Sequence, residues 1–355
     1  MIPNLPHLRL GSLDIGFPAV QAALSGYSDW AMRVTAKRLG AAYTLCEVLL
    51  DQFILNVTKG SKAKRFLRVT DEEHPCGAQL MGALPEDFPA AALKLVEAGF
   101  DAIDLNFGCP VKKVLGRCRG GFLLTQPETA LEIVARVRDA LPERIPLTVK
   151  MRRGMDDSPQ SLDNFYAIFD GCFRLGAAAV TVHGRYVRQR YEGAADWNFL
   201  TEVKKHAGAK TVLGSGDLFT AQDCLDMLAR TGVDGVSVAR GAIGNPWIFE
   251  RMRALAEGRD IPPPTLHRQR EVIAEHYRMA EQIYGPVRCG AIMRKFGIKY
   301  ARLHPQAGEV RRAFIAVAKP PDWLAALDRW YSDDSPGVWP TAVDDNYYAN
   351  TKKRN

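Results

Sequence analysis

TVLGSGDLFTAQDCLDMLARTGVDGVSVARGAIGNP, residues 211–246, holds one structural unit and the start of the next. Short apolar runs at 211–214 and 235–239 each pass directly into a Gly-rich polar segment. The first is Gly214-Ser215-Gly216-Asp217; the second is Ala239-Arg240-Gly241-Ala242-Ile243-Gly244-Asn245-Pro246. Between them 220–231 carries a helical pattern, with Thr220 placed to cap it and Asp223 at the third helical position. Strand, turn, helix and strand succeed one another, with a period of about 30 residues.

Outward from this stretch the same alternation recurs. Strands are expected at 17–24, 42–47, 77–81, 102–106, 147–151 and 179–183 as well as the two above, and helices at 86–98, 127–140 and 162–175. Each strand candidate is a continuous apolar run rather than a half-polar alternation, as parallel strands covered by helices require. The helix at 86–98 stops at Gly99, a C-cap signal. Eight strands with intervening helices predict an α/β fold, a closed (β/α)₈ TIM barrel. An open doubly wound sheet is the alternative. The barrel is favoured because polar and Gly-rich residues follow nearly every strand, and in a barrel those ends ring one mouth.

The barrel is expected to occupy residues 1–257. Ile261-Pro262-Pro263-Pro264 is a stiff linker, since proline fixes φ and removes donors. A small C-terminal helical domain is expected at 265–334, with Val272, Ile273 and Tyr277 early in it and Leu324, Leu327 and Trp330 on its last helix. Residues 335–355 read as a poorly ordered tail.

Of the 355 residues, 47% are hydrophobic and 25% charged, the balance of a soluble globular protein. No apolar run reaches the roughly 18 residues of a membrane span, and the first residues lack the pattern of a secretory signal. Seven cysteines in no framework point to a reducing cytoplasm. No Cys/His spacing suits zinc, so no metal is expected. Nothing suggests an oligomer, and a monomer is expected. The net charge is +7 and unevenly spread. Residues 58–69 carry Lys59, Lys62, Lys64, Arg65 and Arg68 with no acid. Residues 286–312 carry Arg288, Arg294, Lys295, Lys299, Arg302, Arg311 and Arg312 against Glu309 alone. Two one-signed clusters favour a polyanionic partner.

The loops after the last two strands of a barrel are its usual phosphate site. Ser215, Gly216 and Asp217, then Arg240 and Gly241, are candidates to hold one, through backbone N–H groups and one cation. Lys150 and His183 end adjacent strands and face the same mouth. With a phosphate site beside them they suit a flavin, whose reduced ring is anionic along one edge. Gln79, ending another strand, is a candidate for the pyrimidine edge of that ring. Cys109 follows a strand directly, between Asn106, Gly108 and Pro110. That polar, tight-turning setting separates it from Cys46, Cys76, Cys118, Cys172, Cys224 and Cys289, which are read as structural.

Asp104-Leu105-Asn106-Phe107-Gly108-Cys109-Pro110-Val111-Lys112-Lys113-Val114, followed by Gly120-Gly121-Phe122-Leu123-Leu124, resembles the signature of the tRNA-dihydrouridine synthase family. Val149-Lys150-Met151-Arg152-Arg153-Gly154, Val182-His183-Gly184-Arg185, and Ala239-Arg240-Gly241-Ala242 through Pro246-Trp247-Ile248-Phe249 match in the same order. The resemblance covers about residues 17–250 and is marked by these motifs rather than by composition. It implies FMN as cofactor and NADPH as electron donor. It implies a flavin site formed by Ala23, Gln79, Lys150, His183, Ser215, Gly216, Asp217, Arg240 and Gly241. Asn106, Arg152 and Arg185 are then expected to hold a tRNA uridine, and Cys109 to be the acid that protonates its ring.

One segment departs from the family pattern. Ala22-Ala23-Leu24 stands where the family has Ala-Pro-Met, ahead of Ser25-Gly26-Tyr27-Ser28-Asp29, so a fixed φ is lost where the first strand meets the flavin. The thiol form of Cys109 requires a pKa near or above the free value of about 8.5. Lys112, Lys113, Arg117 and Arg119 would lower it, unless they face tRNA phosphates or burial offsets them. Two other readings share parts of this pattern: an FMN barrel that reduces a free pyrimidine, and a non-catalytic flavin-bearing RNA-binding protein.

Overall fold

The computed structural model describes residues 5–57 and 60–340. The chain opens with an antiparallel hairpin, β1 (Leu8–Leu10) and β2 (Leu13–Gly16), and then enters the barrel. In order follow β3 (Ala19–Gln21), α1 (Trp30–Arg38), β4 (Tyr43–Leu50), α2 (Asp51–Asn56), α3 (Ser61–Phe66), β5 (Cys76–Met81), α4 (Phe88–Glu97) and β6 (Ala102–Phe107). Next come α5 (Lys112–Leu115), α6 (Pro127–Ala140), β7 (Leu147–Arg152), α7 (Pro159–Arg174), β8 (Ala179–His183), α8 (Trp197–Ala207), β9 (Val212–Ser215), α9 (Ala221–Thr231), β10 (Gly235–Val238) and α10 (Ile248–Ala256). Strands β3 to β10 pair in sequence order, all parallel, and β10 returns to pair with β3. The expected closed (β/α)₈ barrel is the observed fold.

The side-chain period of a strand explains how one sequence serves two layers. In β8, Val180 and Val182 face the helices, whereas Ala179 belongs to the apolar plug of the barrel floor. Thr181 and His183 then follow Ala179 inward. The helices answer with apolar stripes: α6 buries Ala130, Ile133, Val134 and Val137, spaced for one face of a helix. Helix α9 begins as its sequence predicts, with Thr220 accepting from the Asp223 N–H and Asp223 accepting from the Thr220 N–H. Leu8, Leu10 and Ile15 of the hairpin pack beneath Val20, Tyr43, Leu45, Ala102 and Leu213 and seal the end where the strands start. That hairpin was not expected, because three- and four-residue strands show no period.

The expected strand at 17–24 is shorter, because Pro18 has no N–H to give the ladder and Leu24 to Ser28 turn back on themselves. The strand expected at 42–47 runs on to Leu50 through an irregularity in register between Leu45 and Val48.

The helical region comprises α11 (Leu266–Tyr284), α12 (Pro286–Tyr300), α13 (Ala307–Ala316) and α14 (Pro320–Trp330). It buries Ile273, Tyr277, Met293, Phe296, Phe314, Trp323 and Leu327, while Leu324, on the last helix as expected, is exposed. Residues 335–340, expected in a loose tail, are tied down instead. Ser335 O accepts from the Leu266 N–H, Val338 N–H donates to Leu303 O, and Trp339 Nε1 donates to Ile261 O. The rest of that expected tail, 341–355, lies outside the described residues.

The basic stretches also differ from expectation. Lys59 lies outside the described residues. Arg65 donates to Glu47, and Arg68 lies over the Trp30 ring. In the second stretch Arg294 donates to Val317 O, Lys295 to Gly26 O and Arg302 to Ile243 O, while Lys299 is buried. Lys295 and Arg302 thus tie the helical region to the barrel, and Arg65 and Arg294 are engaged within their own regions. No helix among the described residues is long and apolar enough to cross a membrane.

Candidate functional site at the barrel mouth

The inward residues of β5, β6 and β7 form one hydrogen-bonded chain just below the mouth. Thr148 Oγ1 donates to Asp104 Oδ1 (2.6 Å), Gln79 Nε2 donates to Asp104 Oδ2 (2.5 Å), and Asn106 Nδ2 donates to Gln79 Oε1 (2.7 Å). Asn106 Oδ1 accepts from the N–H groups of Gly108 (3.0 Å) and Cys109 (3.1 Å). This is an Asx turn, and it sets the direction in which Cys109 leaves the strand. Gly120 packs behind the cysteine so closely that a Cβ there would fall 2.8 Å from Cys109 Cβ. Asp104 was not singled out by the sequence, although it stands two residues before Asn106 and so on the same face.

Cys109 is half-buried, and burial pushes its thiol pKa up. The opposing influences are the Val111 N–H and Arg152. Burial therefore dominates, and the thiol carries its proton at neutral pH. Lys112, Lys113 and Arg117 are exposed, and Arg119 donates to Gln52 Oε1. All seven cysteines are free; Cys118, read as structural, is exposed on the loop after α5 at a φ of 56°.

Lys150, Arg152 and His183 lie side by side on β7 and β8, Lys150 opposite Asn106 and Arg152 opposite His183. Burial pulls the Lys150 amine down to about 8 against the attraction of Asp104, whose own carboxyl burial pushes up. His183 sits well below the usual histidine range, first through burial and then through Arg152, Lys150, Arg185 and Arg240 around it, so the imidazole is neutral. Arg152 is buried and brought down to about 10. It donates to three carbonyls, Gly108, Tyr186 and Arg190, and so joins the loops after β6 and β8. Arg185, also buried, donates to Gly193 O (2.6 Å) and to both oxygens of Asp217 (2.7 Å each). Tyr191, which the sequence did not mark, is exposed on the β8 loop, with Arg152 5.4 Å and Arg240 4.5 Å from its ring centre.

The loops after β9 and β10 complete the ring. Ser215 Oγ donates to Ser237 O (3.1 Å). Gly216 has a φ of +118°, and a Cβ there would fall 2.6 Å from Ala195 and 2.7 Å from the His183 ring; only glycine fits. Asp217 accepts from the Ala195 N–H (2.7 Å), Arg185 and Arg240 (3.4 Å), so its carboxylate orients two cations. Gly241 follows in the turn after β10 against the Leu218–Phe219 backbone. Ala23 stands at the end of β3, beside the Ala22 N–H that donates to Val238 O. All the expected residues thus lie at the strand-end face of one barrel. Four cations and a neutral imidazole lie there, while the carboxylates of Asp104 and Asp217 are already engaged by donors. Such a set suits an anionic ligand rich in acceptors. Among the described residues one His/Cys/Asp group, His74, Cys76 and Asp101, has ligand atoms within 4.8 Å of one another. It lies at the strand-start end, where Asp101 already accepts from the Cys76 N–H.

Residues 20–333 match the family described as dihydrouridine synthase. A probable tRNA-dihydrouridine synthase of Mycobacterium tuberculosis is 32% identical over 334 residues, covering 91% of this chain and 85% of that protein. The tRNA-dihydrouridine synthase B of Xanthomonas axonopodis is 32% identical over 339 residues, covering 95% and 99%. Among solved structures, an old yellow enzyme homologue from Zymomonas mobilis superposes with a TM-score of 0.53 at 16% identity, covering 72% of this chain and 93% of that one. The last shares the fold.

Proposed function

Because the chain belongs to the dihydrouridine synthase family, we propose that it reduces a uridine of tRNA to dihydrouridine, with FMN as cofactor, NADPH as electron donor and Cys109 as the acid. The observation that carries this reading is a protonated, half-buried thiol, aimed by Asn106, at the rim of a cationic barrel mouth.

The residues fit the cofactor through their charge and through tight glycine turns that bring backbone N–H groups to the mouth. Gly216 and Gly241, with the N–H groups of their loops and Arg240, would hold the phosphate. Ser215 and Asp217 position those loops and the arginines. Lys150 and neutral His183 would face the electron-rich edge of the ring, with Gln79 beside its pyrimidine end and Ala23 against it from β3. When bound, FMN supplies hydride transfer from NADPH to the uracil ring. The chain does the rest. Asn106 has one amide hydrogen beyond its bond to Gln79 with which to fix the uracil. Arg152 and Arg185 keep the loops closed around the base and bring positive charge to its carbonyls. As negative charge builds on uracil, the Cys109 thiol delivers a proton to carbon-5 from the rim. The exposed Lys112, Lys113, Arg117, Arg188 and Arg190 then meet tRNA phosphates, and the cytoplasm, where tRNA is found, is the proposed location.

Cys109→Ala tests the reading. Dihydrouridine in tRNA, measured by mass spectrometry of digests, is expected to fall at least 100-fold, while bleaching of the flavin by NADPH continues. Full dihydrouridine formation in the variant would refute the acid role, and loss of bleaching as well would point to a structural one.

A further inference from the structure

The loop that leaves the first barrel strand is held from outside the barrel. Residues 22–29 reverse direction at Gly26, where φ is +77°. Inside the loop, Leu24 N–H donates to Ser28 Oγ (2.8 Å), and Leu24 O accepts from the N–H groups of Tyr27 (2.9 Å) and Ser28 (3.0 Å). Those bonds close the turn, but nothing in them fixes where its tip points. The tip is gripped at both ends of its peptide units. Glu47 Oε1 accepts from the Gly26 N–H (2.5 Å), and Glu47 is itself paired with Arg65 of α3 (2.9 Å). On the other side the Lys295 amine, from the middle of α12, donates to the Gly26 carbonyl.

Two more contacts from the helical region reach the same loop. The Tyr27 ring meets Phe296 edge-on at 5.4 Å, with the Lys295 amine 4.8 Å from the Tyr27 ring centre. Tyr284 Oη donates to Asp29 Oδ2 (2.7 Å), while Asp29 Oδ1 caps α1 through the Met32 N–H (3.0 Å). Lys295 is partly buried between Asp29, Glu47 and Arg65, and burial lowers its pKa while the two acids raise it. A lysine on the outer face of a nucleic-acid-binding domain would keep its amine in water. This one turns it inward to a glycine carbonyl.

We propose that Lys295 is a positioning residue for the cofactor: the helical domain, acting through Lys295 on Gly26, supplies the restraint that a proline at position 23 would otherwise give to the loop after β3. Ala23 is free to rotate where proline would be fixed. Among the described residues its N–H donates to no protein group, so a proline there removes no hydrogen bond. The link between helical domain and flavin rests on the flavin reading above; the link between Lys295 and the loop does not.

Hydrogen exchange of the full chain reads the loop directly, and titration of the apoprotein with FMN, followed by flavin fluorescence, reads the cofactor. In Lys295→Met, amide exchange across 22–29 is expected to accelerate about 10-fold or more, with the rest of the barrel unchanged, and the FMN dissociation constant to rise about 10-fold. Adding Ala23→Pro to Lys295→Met is expected to restore both. Unchanged exchange across 22–29 in Lys295→Met overturns the proposal, and so does accelerated exchange that Ala23→Pro leaves as it is. Failure of the unaltered protein to bind FMN overturns the flavin reading and the cofactor half of this proposal, while the exchange result still decides the clamp.

Discussion

Lys150 is a residue whose placement works against the fold. Its amine lies among Asp104, Arg152 and His183, and burial brings it down to about 8. In the unfolded chain a lysine keeps its proton to about 10.4. Between those two pH values the unfolded state binds more protons, so stability rises with pH across that window and the full penalty applies below it. Lys150→Met is therefore expected to make the apoprotein more stable at pH 7 by about 1–3 kcal/mol, a gain that shrinks by pH 10, as measured by urea denaturation. The same substitution is expected to weaken flavin binding, since it removes a cation from the mouth. A variant that is less stable at pH 7 would mean that Lys150 is held favourably. That Asn106, Lys150 and Arg152 would gather at the mouth was legible because they end adjacent strands; Asp104, on the same face as Asn106, was not singled out. What Arg152 and Arg185 do there was not legible. Apart from the Asp217 carboxylate that Arg185 also holds, their partners are the carbonyls of Gly108, Tyr186, Arg190 and Gly193, and a carbonyl has no side chain by which a sequence could announce it.

At the scale of elements, the loops after β8 and β9 act as one piece. Asp217 accepts from Ala195 and Arg185, and Gly216 lies against both Ala195 and the His183 ring. Gly216→Ala would place a methyl in a backbone conformation that L-residues rarely adopt, and against a ring that cannot retreat into the packed barrel. The expected cost is about 1–3 kcal/mol in stability, together with at least a 10-fold loss in FMN affinity, checked by thermal melts and fluorescence titration. Unaltered affinity would show that the β9 loop does not carry the phosphate. Helices and long strands were legible from period and caps, as at Pro127–Ala140 and Ala179–His183. The hairpin at 8–16 and the exposed Tyr191 were not, because neither a three-residue strand nor a single aromatic residue has a pattern to repeat.

At the scale of the molecule, the helical region is fastened to the barrel at several places, among them the Gly26 loop, the Ile243 carbonyl held by Arg302, the pairing of Arg38 with Glu275 and the strap at 335–340. Arg251 of α10 lies 4.5 Å from the Trp339 ring centre, so the strap reaches back across the proline linker. Ending the chain after Asp334 is expected to cost about 1–3 kcal/mol and to shift the denaturation midpoint without altering the mouth. Unchanged stability would mean that the strap rests on a surface that needs no cover. The basic stretches illustrate the limit of reading charge from sequence. A run of cations marks either a surface for a partner or an interface within the chain, and only packing distinguishes Lys295 from Lys112.

The hairpin that seals the barrel floor also has a kinetic meaning. With Leu8, Leu10 and Ile15 closing one end, a flavin bound as proposed would be reached from the strand-end mouth, which a small dinucleotide and a large RNA would have to share. On that reading the two would take turns at the mouth. Steady-state double-reciprocal plots, with the dinucleotide varied at several fixed tRNA concentrations, are therefore expected to be parallel, and each substrate to inhibit competitively against the other when in excess. Intersecting lines would require a second entrance.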